Sequence, residues 1–393
     1  MNGLLTLRVE KLLWRGRGLA RLDSGKAVMI EPGVLPGESI TARVLTDHKD
    51  YTRAESAEIL APSALRCPHP CPHAADCGGS RFGVLAPEAS ARIKADMLRD
   101  AASRSLEPDI LAGLRVIPSP KGWRYRWRGQ IHVRNGRPHA MGHASNDLAL
   151  LTDCHLLSPP LAADMENLAR SLPDGRFTIA ASPATEETFT ERGRGGLILP
   201  IPDFDLDLRV PPSTFFQANW ELNQTLIREV VAALDGFGRI ADLFSGAGNF
   251  ALPLARRGKT VLAMEGSPAA AHCGADNARR LGLARAEFHG ANLARPASWE
   301  PVRHFLPQAA VLDPPRTGAK NIGAALMSIS SLRRLVWISC DVVNTLRDAR
   351  PLLRAGWRIS DLVLLDMFPG TWHMEVLMVL DRPDTNVFRT ASP

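Results

Sequence analysis

The chain lacks any apolar run approaching the roughly 20 residues that a membrane-spanning helix requires. Its opening stretch, MNGLLTLRVEKLLWRGRG, has no long apolar segment ahead of a small-residue cleavage site. Neither a membrane span nor a secretory leader is expected, and a cytoplasmic location follows. Cysteine is sparse, six in 393 residues. In a reducing compartment these read as thiols or metal ligands rather than disulfides. Internal repeats and low-complexity segments are absent. Acidic residues are missing between Lys121 and His143, where six Lys or Arg fall. This local gap argues for a nucleic-acid partner more strongly than the modest overall charge of +6 does.

What is present is an ordinary globular composition, 45% apolar and 22% charged, long enough for two or three domains. Residues 1–62 carry short alternating runs (LTLRVEKL, KAVMIEP, SITARVLT, AEILAPS) punctuated by Gly and Pro, the pattern of a small β-barrel. Residues 63–215 are mixed α+β. They open with a Cys/His/Pro cluster, and Ala-rich spacing with alternating charges predicts an exposed amphipathic helix near Pro87–Ser103. In KGWRYRWRGQIHVRNGR, Trp123, Tyr125 and Trp127 alternate with Arg124, Arg126 and Arg128. As a strand, this would present one aromatic face for bases and one cationic face for phosphates. Its bland alternative is a core strand with buried tryptophans and solvated arginines. From residue 216 onward, apolar strand-length runs (GRIADLF, TVLAMEG, AAVLDPP, LVWISC, DLVLLDMF) alternate with helix-like stretches at 250–257, 268–282, 321–332 and 343–355. That is a doubly wound α/β sheet.

IADLFSGAGNFALPLARRG reads as strand, glycine turn and helix. Gly246 and Gly248 permit a sharp turn and close approach of a ligand. The run matches neither GxGxxG nor a phosphate loop. Glu265, 19 residues after Gly246, ends the next strand, where a carboxylate can accept both hydroxyls of a ribose. A ribose site without a pyrophosphate cradle points to S-adenosylmethionine (AdoMet) rather than NAD. Asp313, in AAVLDPPRTG, sits at another strand end and is held there by two prolines.

VWISCDVV places Cys340 at a further strand end. Alone, such a cysteine is by default structural. DMFPGTWHMEVLMVL adds Asp366, His373 and Glu375 at the edge of the last strand pair. Methylation of an unactivated pyrimidine carbon needs such a set. A thiolate adds to carbon 6 of uracil, carbon 5 then attacks the sulfonium methyl, and a base removes the carbon 5 proton before elimination. Cys340 is read as the nucleophile and Glu375 as the base. His373 fits either a tuning or a packing role. The target base must be unpaired or flipped.

With these residues in view, FFQAN (215–219), DLFSGAGNF (242–250), MEG (264–266), LDPPRTG (312–318), ISCDVVNTLRD (338–348) and LDMFPGTWHMEV (365–376) resemble the RNA uridine-5 methyltransferases. Residues 1–62 resemble a TRAM domain, an RNA-binding barrel of that family. The resemblance implies a Rossmann-like catalytic domain over 216–393. It implies an AdoMet site of Gln217, Phe244, Asn249, Glu265, Asn292 and Asp313, with Cys340 and Glu375 in the roles above. Two departures stand out: Asp341-Val342 replaces the family's Asn-Pro after the cysteine, and Ser245 replaces a cysteine before the glycine.

A subset of the family carries an iron–sulfur cluster on Cys-x5-Cys-Gly-Gly-Cys plus one later cysteine. Cys71, Cys77 and Cys154 match this pattern, but Ser80 takes the third motif position, leaving one ligand short of four. Cys67, four residues before Cys71, is expected to complete a [4Fe-4S] site. Zinc held with His69 and His73, or an empty site, are the rivals. Barrel plus cysteine set resembles the large-subunit rRNA enzymes more than the tRNA enzymes. A tRNA enzyme and a catalytically silent RNA-binding or assembly protein are the alternatives. A DNA cytosine-5 enzyme is disfavoured because Ile338-Ser339, not Pro, precedes the cysteine.

Overall fold

The computed structural model describes residues 4–142, 147–319 and 322–383. His143, at the end of the acid-free stretch, and residues 384–393 lie outside them. Among the described residues, no helix is long and apolar enough to cross a membrane.

The first sheet has six strands. At one end of its hydrogen-bonded order lies strand Leu4–Arg8, and at the other Lys11–Leu12. Only Val9 and Glu10 join these two outermost strands. So short a link forces the sheet to bend round on itself, which gives the barrel that the alternating runs predict. Its interior is a small separate core including Leu7, Val28, Ile30, Ile40 and Ala54.

Among the described residues, the largest of the four sheets has eight strands in the order Ala286–Gly290, Thr260–Glu265, Arg239–Leu243, Ala309–Leu312, Arg334–Ser339, Glu375–Asp381, Arg358–Leu365 and Arg115–Ile117. The first five are parallel and Glu375–Asp381 is antiparallel to its neighbours. The order reverses between Arg239–Leu243 and Ala309–Leu312, making a crevice at their carboxyl ends where ligands bind in such sheets. Strand Arg115–Ile117, far earlier in the chain, closes one edge in parallel with Val363–Leu365.

Alternation along each strand divides the sheet's burial between two faces. Val336 and Ile338 face a core shared with the central region, through Ile131, Phe177, Ile179 and Leu199. Leu335 and Trp337 face a core shared with Met97 and Leu98 of helix Pro87–Ala102. That helix therefore differs from its expected exposed form. It buries Ser90, Ala91, Ile93, Lys94, Ala95, Met97, Leu98 and Ala102.

The expected strand over 123–128 does not form. The regular strand runs from Arg128 to Arg134. Arg124 takes a left-handed backbone (φ 59°), which breaks strand alternation. Tyr125 and Trp127 are buried rather than presented to bases, which for Trp127 is the core alternative. The arginines do not share one cationic face. Arg124 forms a paired ion bridge with Asp153 at 2.6 and 2.7 Å. Arg126 lies between the Tyr125 and Phe368 rings, and Arg128 lies over Phe215.

Candidate active site

The candidate residues meet because of strand register. Ser339 pairs with Val376 in the antiparallel ladder, so continuing one step brings Cys340 opposite Glu375. Cys340 follows the last residue of a parallel strand, whereas Glu375 opens an antiparallel one. Reversal of the last strand thus brings both to the same edge. Phe244, Glu265 and Asp313 end or follow three further parallel strands at that edge.

Burial dominates the electrostatics. The Cys340 thiol is pushed up to about 12, first by burial and then by the Glu375 carboxylate. Glu375 is itself held well above the ordinary carboxylate range by burial and by Asp313, and its Oε2 has no hydrogen-bond partner. A buried carboxyl raised in this way suits proton abstraction. Asp313 is raised to about 7 by burial, while Gln217 donates an amide N–H to its Oδ2 at 3.2 Å. His373 is pushed down to about 3 by burial and by Arg316, Arg126, Lys94 and Arg15. It is therefore neutral at ordinary pH, and its ring stacks on Trp372 at 3.7 Å.

Asp341 accounts for one departure from the family pattern. Its Oδ1 accepts the Asn344 N–H at 3.2 Å, capping helix Val342–Arg354. A carboxylate suits a helix N-terminus. Its Oδ2 pairs with Arg15 of the barrel at 3.1 Å. The first region therefore contacts the residue next to Cys340.

At the glycine turn a Cβ on Gly246 would meet nothing within 4 Å, as on Gly266 after the next strand, whereas on Gly248 (φ 99°) it would strike Leu252 at 2.8 Å and Phe288 at 3.0 Å, so Gly248 serves packing rather than ligand approach. Glu265 spans this turn, accepting Gly246 N–H at 2.9 Å and Ser267 N–H at 2.7 Å. Each oxygen keeps a further lone pair for a ribose hydroxyl. Phe244 has a positive φ of 68° at the crevice. Asn249 exchanges amide hydrogen bonds with Asn223 at 2.8 and 3.1 Å. Asn292 Oδ1 accepts the Ala294 N–H. Asp242, missed by the sequence reading, is fully buried, has two unpartnered carboxylate oxygens, and feels Asp313 and Glu265. An acid inside the apolar run IADLF was the available signal. Open space beside a glycine turn, with several carboxyls around it, fits a cationic nucleoside such as AdoMet.

Cys67, Cys71, Cys77 and Cys154 are free and partly buried. Cys77 feels the charges of Cys154 and Cys71, and Arg126 feels Cys154 and Cys77. His69 Nδ1 accepts the Cys71 N–H at 3.0 Å and its Nε2 donates to the Ser80 carbonyl at 2.8 Å. His73 Nε2 accepts the Thr152 N–H at 3.1 Å. Hydrogen bonds thus occupy both nitrogens of His69 and the Nε2 of His73. Among the described residues, no group of three or more His, Cys, Asp or Glu is placed to hold a metal ion, so the expected four-cysteine set is not assembled.

Comparison with known proteins agrees with this arrangement. The family described as tRNA (Uracil-5-)-methyltransferase matches residues 197–383. A protein of Azoarcus sp. (strain BH72) named 23S rRNA (uracil(1939)-C(5))-methyltransferase RlmD is 34% identical, over 96% of this chain and all of its own length. The protein of that name from Salmonella paratyphi A is 30% identical over 96% of both chains. Among solved structures, the Pyrococcus abyssi tRNA (uracil-54, C5)-methyltransferase in complex with S-adenosyl-L-homocysteine superimposes with a TM-score of 0.73. It covers 95% of this chain and 99% of its own at 20% identity, which speaks for the fold. Joined to the Cys340–Glu375 edge, near full-length similarity at 34% identity establishes that the chain belongs to the RNA (uracil-5-)-methyltransferase family.

Proposed function

We propose that this chain methylates carbon 5 of one uridine in 23S rRNA, with Cys340 as nucleophile and Glu375 as base. The observation that carries the chemistry is the register that sets these two residues opposite each other beside the cofactor crevice. The choice of RNA rests on the full-length relatives named for 23S rRNA.

AdoMet, bound through Gln217, Phe244, Asn249, Glu265, Asn292 and Asp313, supplies an electrophilic methyl. Cys340 loses its proton and its sulfur forms a bond to uracil carbon 6, pushing electrons to carbon 5. Carbon 5 would take the methyl as the S–CH3 bond breaks, the sulfonium sulfur keeping the bonding pair and leaving as a neutral thioether, and carbon 5 would then carry both methyl and proton. Glu375 removes that proton. The electron pair left behind restores the carbon 5–carbon 6 double bond and expels the Cys340 sulfur. His373, being neutral, packs the site against Trp372 and leaves the proton to Glu375.

Residues 1–62 serve as the RNA-binding barrel, 63–215 as the central region and 216–393 as the catalytic region, in the cytoplasm. Cys67, Cys71, Cys77 and Cys154 hold a [4Fe-4S] cluster. The engaged ring of His69 speaks against its joining a Cys/His zinc set. A cluster here would supply structural cross-linking, and no catalytic step passes through it.

The test is methyl transfer from labelled AdoMet to RNA from a strain lacking the protein. Wild type should yield 5-methyluridine in 23S rRNA and Cys340→Ala none, a loss of at least about 10⁴-fold for a covalent nucleophile. Label in tRNA would reassign the substrate. Label retained by Cys340→Ala would remove Cys340 from its role.

A further inference from the structure

The loop from Asp366 to Met374 joins the last two strands and delivers Glu375. Four successive carbonyls of this loop each accept a hydrogen bond from a different part of the chain. Asn219 donates to Met367 O at 3.2 Å, Lys94 to Phe368 O at 3.0 Å, Tyr125 to Pro369 O at 2.9 Å and the Phe82 N–H to Gly370 O at 2.9 Å. Lys94 also pairs with Asp366, both buried. The Trp123 ring stands 3.2 Å from where a Cβ of Gly370 would lie, and Gly370 has φ 73°.

None of these donors belongs to the catalytic strands. Phe82 follows the Cys77 turn by five residues, Tyr125 precedes Arg126 beside the cysteines, and Lys94 projects from helix Pro87–Ala102. Buried donors held by separate elements over-determine the path of the loop, and a base must hold its geometry closely to act.

We propose that Tyr125, Lys94 and Asn219 are positioning residues that aim Glu375 at the carbon 5 proton by clasping the carbonyls of the loop leading into it. This rests on the reading of Glu375 as base. Addition of Cys340 and methyl transfer precede proton removal, so a misaimed base stalls the reaction at one identifiable species. That species is a covalent protein–RNA adduct already carrying the methyl.

The experiment uses the full-length protein, labelled AdoMet and RNA from the deletion strain. It compares wild type, Tyr125→Phe, a Lys94→Met/Asp366→Leu double variant and Glu375→Gln. Readouts are 5-methyluridine turnover, KM for AdoMet, and labelled adduct that survives denaturant. Tyr125→Phe should lose turnover on the order of tenfold and keep its KM within about twofold, while the labelled adduct accumulates. The double variant, which leaves no buried charge behind, should do the same. Adduct that falls in step with turnover in both variants would show a merely structural role and overturn the proposal. Accumulation in Glu375→Gln alone would keep the base and overturn the clamp. Its absence from Glu375→Gln would overturn the base assignment and the clamp together.

Discussion

Cys340 rests in a setting that opposes its own ionisation. Burial removes solvent from the thiolate, and the Glu375 carboxylate across the ladder adds a repulsive charge. The sign is clear: a thiol held up to about 12 is protonated below that pH and gains nucleophile only when the repulsion is relieved. Glu375→Gln removes the charge but not the burial. In the free enzyme, alkylation of Cys340, followed by mass spectrometry across pH, should show its half-point moved downward. An unmoved profile would separate the two side chains. Single residues of this kind were readable because each is a chemically unusual group at a strand end. Asp242 and Arg15 were not. Asp242 offered only an acid inside an apolar run and acquires meaning from its full burial beside Asp313 and Glu265, and Arg15 only from its partner Asp341.

At the scale of elements, helix Pro87–Ala102 is the clearest case of correct type and wrong environment. Its position was legible from Ala-rich spacing and alternating charges, and it forms over Pro87–Ala102. Its Lys94 looked like part of a solvated face, yet it is fully buried on Asp366. Lys94→Met alone strands a buried carboxylate and should cost about 3–5 kcal/mol, whereas the Lys94→Met/Asp366→Leu pair should recover most of it. Urea unfolding of the three proteins measures this. Equal losses in single and double variants would mean that the pair carries no special coupling. Segment 123–128 fails in the opposite direction. Strict alternation of aromatic and cationic residues mimics a two-faced strand, but Arg124 turns left-handed and each arginine takes a separate partner. A period of two predicts a strand only where the backbone can continue a ladder.

At the scale of the molecule, the other sheets are tied to the eight-stranded one around the edge that carries Cys340 and Glu375. The barrel reaches it through Arg15, the cysteine region through Phe82 and Tyr125, and the central region shares a core with one face of the catalytic sheet. A cluster on Cys67, Cys71, Cys77 and Cys154 would brace the segment that supports the loop of Glu375. Anaerobically purified protein should contain about four irons and four acid-labile sulfides per chain and absorb visible light. Cys77→Ala should abolish that absorption. A colourless, iron-free wild type would leave the four thiols without a cluster.

By itself the sequence determined the sheet class and pointed to the glycine turn with its acid and to Cys340 and Glu375 as candidate nucleophile and base. Strand-end chemistry and apolar periodicity are local and survive in one dimension. Only the tertiary structure decided that the last strand runs backwards, so that Glu375 faces Cys340, and that strand Arg115–Ile117 joins a sheet formed mostly by residues far later in the chain. The carbonyl clamp around the loop of Glu375 likewise depends on donors at positions 82, 94, 125 and 219. Their spacing follows no period, because burial against a common loop, not local geometry, is what brings them together.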